Sequence, residues 1–199
     1  MTFENYITRR KPVYGIGIND ADYVTQPMIN GKRIGCLYFR IWKSMITRCY
    51  SAKCHEKQPA YIDCSVVPEW LSFMNFRRWM EKQDWQGKQL DKDILIPGNK
   101  IYGPETCLFV TRRANNLLID NPSLRGEHPK GVYFCKKTGK YKAQLNIGRK
   151  RKGLGYFDSS DSANLAYKQA KRLCILRIAC CEPNIKAKQG LYRHAELLR

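Results

Sequence analysis

Apolar positions recur along this chain with two different periods, and the change of period divides it. In CLYFRIWKSMITRCY, beginning at Cys36, the residues Tyr38, Trp42, Met45 and Cys49 follow i, i+4, i+7, i+11. That spacing places them on one face of a helix. A polar loop, SAKCHEKQPAYIDC, leads to the short strand-like CSVV and to Pro68, which suits a first helical turn. In EWLSFMNFRRWM, the residues Trp70, Phe73, Phe76 and Trp79 fall at every third position. Core is the first reading of such a stripe, because aromatics dominate burial energetics. A base-stacking platform is the alternative.

Beyond Lys130 the period drops to two. Val132 and Phe134 alternate with Tyr133 and Cys135, and Thr138-Gly139-Lys140 reads as a turn. In the next run Ala143, Leu145 and Ile147 share one face, while Lys142, Gln144 and Asn146 share the other. The basic stretch GRKRKG reads as a second turn, followed by a third strand, LGYF. A helix then begins, with Ser159 as N-cap and Asp161 in the first turn. Ala163, Ala166, Tyr167 and Ala170 recur at helical spacing, and Pro183 limits the far end. The prediction is a three-stranded antiparallel sheet with one packed helix, its opposite face open and polar.

These patterns suggest a basic lead-in or packed segment over 1–34, an aromatic-rich unit over 35–120, a linker over 121–129 and a last unit over 130–199. The fold class expected is α+β. Charge sharpens the picture. The chain has 36 Lys+Arg and 17 Asp+Glu, a net +19. Pro122–Arg199 contributes 18 basic and 5 acidic residues, so +13 of that excess. Such a surface attracts polyanions, and the footprint is expected in the C-terminal part.

Nine cysteines occur without a CxxC pair. Cys49, Cys54, His55 and Cys64 are the one neighbourhood with zinc-ligand chemistry. Buried reduced thiols are the preferred reading there, so zinc is not expected. No stretch has the apolar length of a membrane span, and MTFENYITRRKP has no apolar signal-peptide core. A cytoplasmic protein is expected.

The last unit resembles the Apetala-two (ethylene-response-factor) DNA-binding domain. The resemblance rests on Gly131-Val132, Gly139-Lys140-Tyr141, Ala143-Gln144-Leu145, Leu154-Gly155-Tyr156-Phe157 and the Ala/Tyr helix, in order over some fifty residues. It implies a sheet laid into the major groove of double-stranded DNA. The implied DNA face holds Lys130, Tyr133, Lys142, Gln144, Asn146 and Arg151, with Lys136, Lys137, Arg149 and Lys150 in turns suited to phosphate. Plant members often have Arg and Trp where this chain has Tyr133, Asn146 and Gly153, so their target sequence does not carry over.

A second stretch, LDKDILIPGNKIYGPETCLFVTRRANNLL from Leu90, resembles the HNH (His-Me finger) endonuclease motif, a ββα unit around one divalent cation. The matching residues are Gly98-Asn99-Lys100, Pro104 to Thr111 and Asn115-Asn116. None of His55, His128 and His194 falls in the motif, which is therefore degenerate. The resemblance assigns Asp91, Lys92 and Asp93 to the catalytic position, with Asp91, Asn115 and Asn116 as ligands to magnesium or another divalent cation.

Together the modules resemble bacteriophage proteins that join an HNH-like unit to an Apetala-two reader, some of them homing endonucleases. In such a host the location is the host cytoplasm. Three functions stay in competition. One is a sequence-guided, metal-dependent endonuclease, and another is a catalytically inactive DNA-binding regulator. The third is an effector whose basic surface meets an acidic host protein. The lead-in cations Arg9, Arg10 and Lys11 are candidate phosphate or minor-groove contacts, or part of a frayed terminus.

Overall fold

The computed structural model describes residues 10–119, 126–148 and 150–199. They form an α+β arrangement of short sheets and helices in two compact units. The first takes in the described residues up to Asp93 together with Gly98–Phe109; the second takes in Ile94–Pro97 and the described residues from Val110 onward.

The first unit opens with a segment packed by backbone pairing rather than a loose arm. The N–H of Ile18 donates to Leu71 O at 2.8 Å, and the N–H of Phe73 donates to Ile18 O at 2.9 Å. Arg10 is committed to the same segment, donating to the carbonyls of Asn19, Ala21 and Tyr23 at 3.0, 2.8 and 2.8 Å. A small hairpin follows, β1 (Met28–Ile29) and β2 (Lys32–Arg33). Then come α1 (Leu37–Tyr50), α2 (Ala52–Lys57), β3 (Ser65–Val66) and α3 (Phe73–Glu81). Three short strands complete it: β4 (Gln89–Asp91), β5 (Ile101–Tyr102) and β6 (Leu108–Val110), pairing β3 with β5 and β4 with β6.

Helix α1 buries Phe39, Trp42, Met45, Ile46 and Cys49, while Tyr38 is half-buried against the edge of Trp85. The aromatic stripe is core. Trp70, Phe73 and Phe76 are buried, and Trp79 packs on Phe109 at a centroid distance of 5.7 Å. Trp42 donates its indole N–H to Trp70 O at 2.7 Å, which satisfies the polar end of a fully buried ring. These rings are spent on packing, which removes the base-stacking alternative.

In the second unit α4 (Arg112–Leu118) precedes the sheet of β7 (Val132–Cys135), β8 (Lys140–Ile147) and β9 (Lys150–Phe157), in order β7-β8-β9 and antiparallel throughout. Helix α5 (Ser160–Cys180) covers one face, and α6 (Ile185–Glu196) packs on α5. Ser159 caps α5 by accepting from the N–H of Ser162 at 3.1 Å, and Pro183 lies just beyond its end. The core is small: Val132, Ala143 and Ala163 are buried, with Tyr141, Leu154, Phe157 and Ala166 around them. Gly131, at φ 78°, lies so close to the Tyr167 ring that a Cβ there would overlap it.

Two expectations change here. From Lys150 onward the basic stretch is strand, not turn: β9 begins there, so Lys150 and Arg151 are ladder residues paired with Ile147 and Asn146. The compact units also divide near Val110, ahead of the expected linker, because α4 packs with α5.

Candidate nucleic-acid interface

The register of the three strands decides which side chains stand together on the face away from α5. Tyr133, Lys142 and Tyr156 form one row across the sheet, and Asn146 and Arg151 form another. Between these rows Gln144 pairs with Gly153 on one side, and its N–H donates to Gly131 O at 2.8 Å on the other. Gln144 therefore has a glycine neighbour on each side. A β-bulge at Leu154 makes this possible. Ala143 pairs with Gly155 and Gln144 with Gly153, so one extra residue in β9 keeps Arg151 and Gly153 in phase with Tyr156.

Tyr133 and Tyr156 are each 51% exposed, an uncommon state for two large rings on one small sheet. The Lys142 ammonium lies 5.8 Å from the Tyr156 ring centroid, within cation–π range. At the edge of the face Lys140 pairs with Asp158 at 2.9 Å, and Cys135 lies opposite Lys140. Hydrogen bonding from Thr138 lowers the Cys135 thiol below the usual cysteine range. Lys136 and Lys137 are exposed in the β7–β8 turn.

Of the residues expected to contact DNA, Tyr133, Lys142, Gln144, Asn146 and Arg151 fall together on the sheet face away from α5. Lys130 does not stand open: its ammonium donates to Ile119 O at 2.6 Å. Lys150 pairs with Ile147, in the opposite strand phase from Asn146 and Arg151. Arg149 lies outside the described residues. Tyr156 and Gly153 complete the face and were not expected there. The Tyr156 phase depends on the bulge, which has no sequence signal beyond the two glycines that flank Leu154.

The stretch from Leu90 runs through β4, β5 and β6, of which β4 and β6 pair, and then α4. Lys92 is buried at 5% exposure, and its ammonium donates to both Asp93 carboxylate oxygens at 2.8 and 2.9 Å and to Asn99 O at 2.5 Å. The Asp93 N–H donates to Asp91 Oδ1 at 2.9 Å. The Asn99 amide donates to the carbonyls of Lys92 and Ile101 at 2.9 and 2.7 Å, closing the loop. Lys92 thus engages both carboxylate oxygens of Asp93. Lys92 and Asp93 form an ion pair with the lysine buried. Thr106 donates to Ile101 O at 2.7 Å. Asn115 and Asn116 lie on α4 in the second unit.

The cysteine neighbourhood is not assembled as a metal centre. Among the described residues no group of three or more His, Cys, Asp or Glu side chains is placed to hold a metal ion. Burial pushes the Cys49 thiol up to about 12 and raises Cys64 as well, which favours neutral thiols over thiolate ligands. Cys54 and His55 lie on α2, with His55 Nε2 2.9 Å from Arg48 O. No described helix is long and apolar enough to cross a membrane. Comparison of the chain with family models, with curated proteins and with solved structures finds no match.

Proposed function

We propose that this chain binds double-stranded DNA through the open face of the β7-β8-β9 sheet. One observation carries the reading: Tyr133, Lys142, Gln144, Asn146 and Arg151 share the face that α5 leaves uncovered. The major groove is wide enough for a β reader, and amide and guanidinium side chains match base edges there. Gln and Asn pair bidentately with adenine, Arg with guanine. Lys136 and Lys137, exposed in the adjoining turn, serve the phosphates.

The test is selection of bound duplexes from a random pool, by the full chain and by Gln144→Ala and Asn146→Ala. Each variant is expected to lose preference at one base position, at a cost of about 1–3 kcal/mol. Unchanged selectivity in both would remove the assignment of the reading face. A second reading is a metal-dependent endonuclease at Asp91 and Asp93, and the pairing of β4 with β6 ahead of a helix favours it. It requires Asp93 to part from Lys92. Incubating the selected duplexes with magnesium or manganese separates the two readings: intact DNA under both metals leaves a non-catalytic binder, and cutting that Asp91→Ala abolishes establishes the nuclease.

A further inference from the structure

The hairpin of β1 and β2 stands outside everything assigned so far. Its turn is Asn30-Gly31, at φ 50° and 73°, the left-handed pair of a tight two-residue hairpin. Its root is fixed. The N–H of Ile34 donates to Pro27 O at 3.0 Å and the N–H of Cys36 to Thr25 O at 2.8 Å, with Thr25 buried. Beyond that root every residue from Met28 to Ile34 is exposed. Met28 is 62% exposed and Ile29 47%, so two large apolar side chains stand out in solvent on a two-stranded ribbon.

The register pairs Met28 with Arg33 and Ile29 with Lys32. Paired residues share a face, so each face of the ribbon carries one apolar side chain beside one cation. From Tyr23 to His55 the chain has six Lys/Arg and no Asp/Glu. A partner for this element must be anionic on both sides and accept apolar contact between them.

We infer that the hairpin is a second DNA contact, a two-stranded ribbon entering the major groove of a duplex, with Lys32 and Arg33 on its two phosphate walls. A groove about 12 Å wide admits such a ribbon. Met28 and Ile29 then meet base edges and thymine methyl groups. This inference rests on the reading of the chain as a duplex-DNA binder. Of the lead-in cations, Arg10 is held by three backbone carbonyls, Lys11 is exposed and Arg9 lies outside the described residues.

The experiment uses the full chain and a labelled random-sequence duplex, with affinity followed across a salt series. Lys32→Ala/Arg33→Ala is expected to reduce the slope of log K against log salt by about 1.8, at about 0.9 for each phosphate no longer neutralised. Met28→Thr/Ile29→Thr is expected to weaken binding several-fold with the slope unchanged. All four side chains are exposed, so melting temperature should not move. Wild-type affinity and slope in both variants, while Lys142→Ala/Arg151→Ala loses binding, would overturn the hairpin assignment and leave the sheet reading standing. Loss by both hairpin variants of binding to phosphatidylserine vesicles, with duplex binding untouched, overturns it in favour of a lipid surface. A wild-type chain that binds no duplex overturns both readings.

Discussion

At the scale of single residues, the nine cysteines divide by environment. Cys49 and Cys107 are buried, and burial pushes each thiol up to about 12. Cys135 sits at the edge of the open sheet face, and Thr138 lowers its pKa. A lower pKa means more thiolate at a given pH, and the thiolate is the reactive form. Cys135 is therefore expected to alkylate at a lower pH than an ordinary cysteine, and Cys49 and Cys107 to stay unmodified in the folded chain. Bound duplex should slow the Cys135 reaction. Peptide mapping after iodoacetamide treatment reads this directly, and modification of Cys107 ahead of Cys135 would refute it. The thiol reading of the cysteines was legible from composition. The role of Lys92 was not: its charge and position suggested chemistry, and only the fold brings the Asn99 carbonyl to its ammonium.

At the scale of elements, alternation made the inward and outward faces of β8 readable, because a strand's period is fixed by its geometry. The same logic failed for β9, where glycine-rich, basic sequence looked like a turn and a bulge at Leu154 resets the phase. The hairpin carried its own signal, Asn30-Gly31, but its strands are too short to show alternation. Close approach of elements is the least legible property. Gly190 sits within α6 where a Cβ would fall inside the radius of the Ile94 carbonyl oxygen, and Arg193 on the same helix donates to Leu95 O at 2.5 Å. In an open helix position Gly→Ala gains up to about 1 kcal/mol. Here the backbone oxygen is in the way, so Gly190→Ala should cost about 1–3 kcal/mol. Thermal unfolding checks this, and an equal or higher melting temperature would show that the Ile94–Pro97 segment yields freely.

At the scale of the whole molecule, charge and fold point to the same portion of the chain. Pro122–Arg199 holds 18 basic and 5 acidic residues, and it contains the sheet whose open face gathers Lys142, Asn146 and Arg151. The α+β class and the sheet-plus-helix unit were legible, because a switch from helical to strand period survives without any knowledge of packing. The division near Val110 was not, since it depends on α4 packing with α5. The most direct test of the central claim is the salt dependence of duplex binding by the full chain and by Lys142→Ala/Arg151→Ala. The sheet reading predicts tight binding at low salt, and a double variant that binds more weakly, with a slope lower by about 0.9 for each phosphate it no longer neutralises. Duplex binding with the same affinity and slope in the double variant would contradict it.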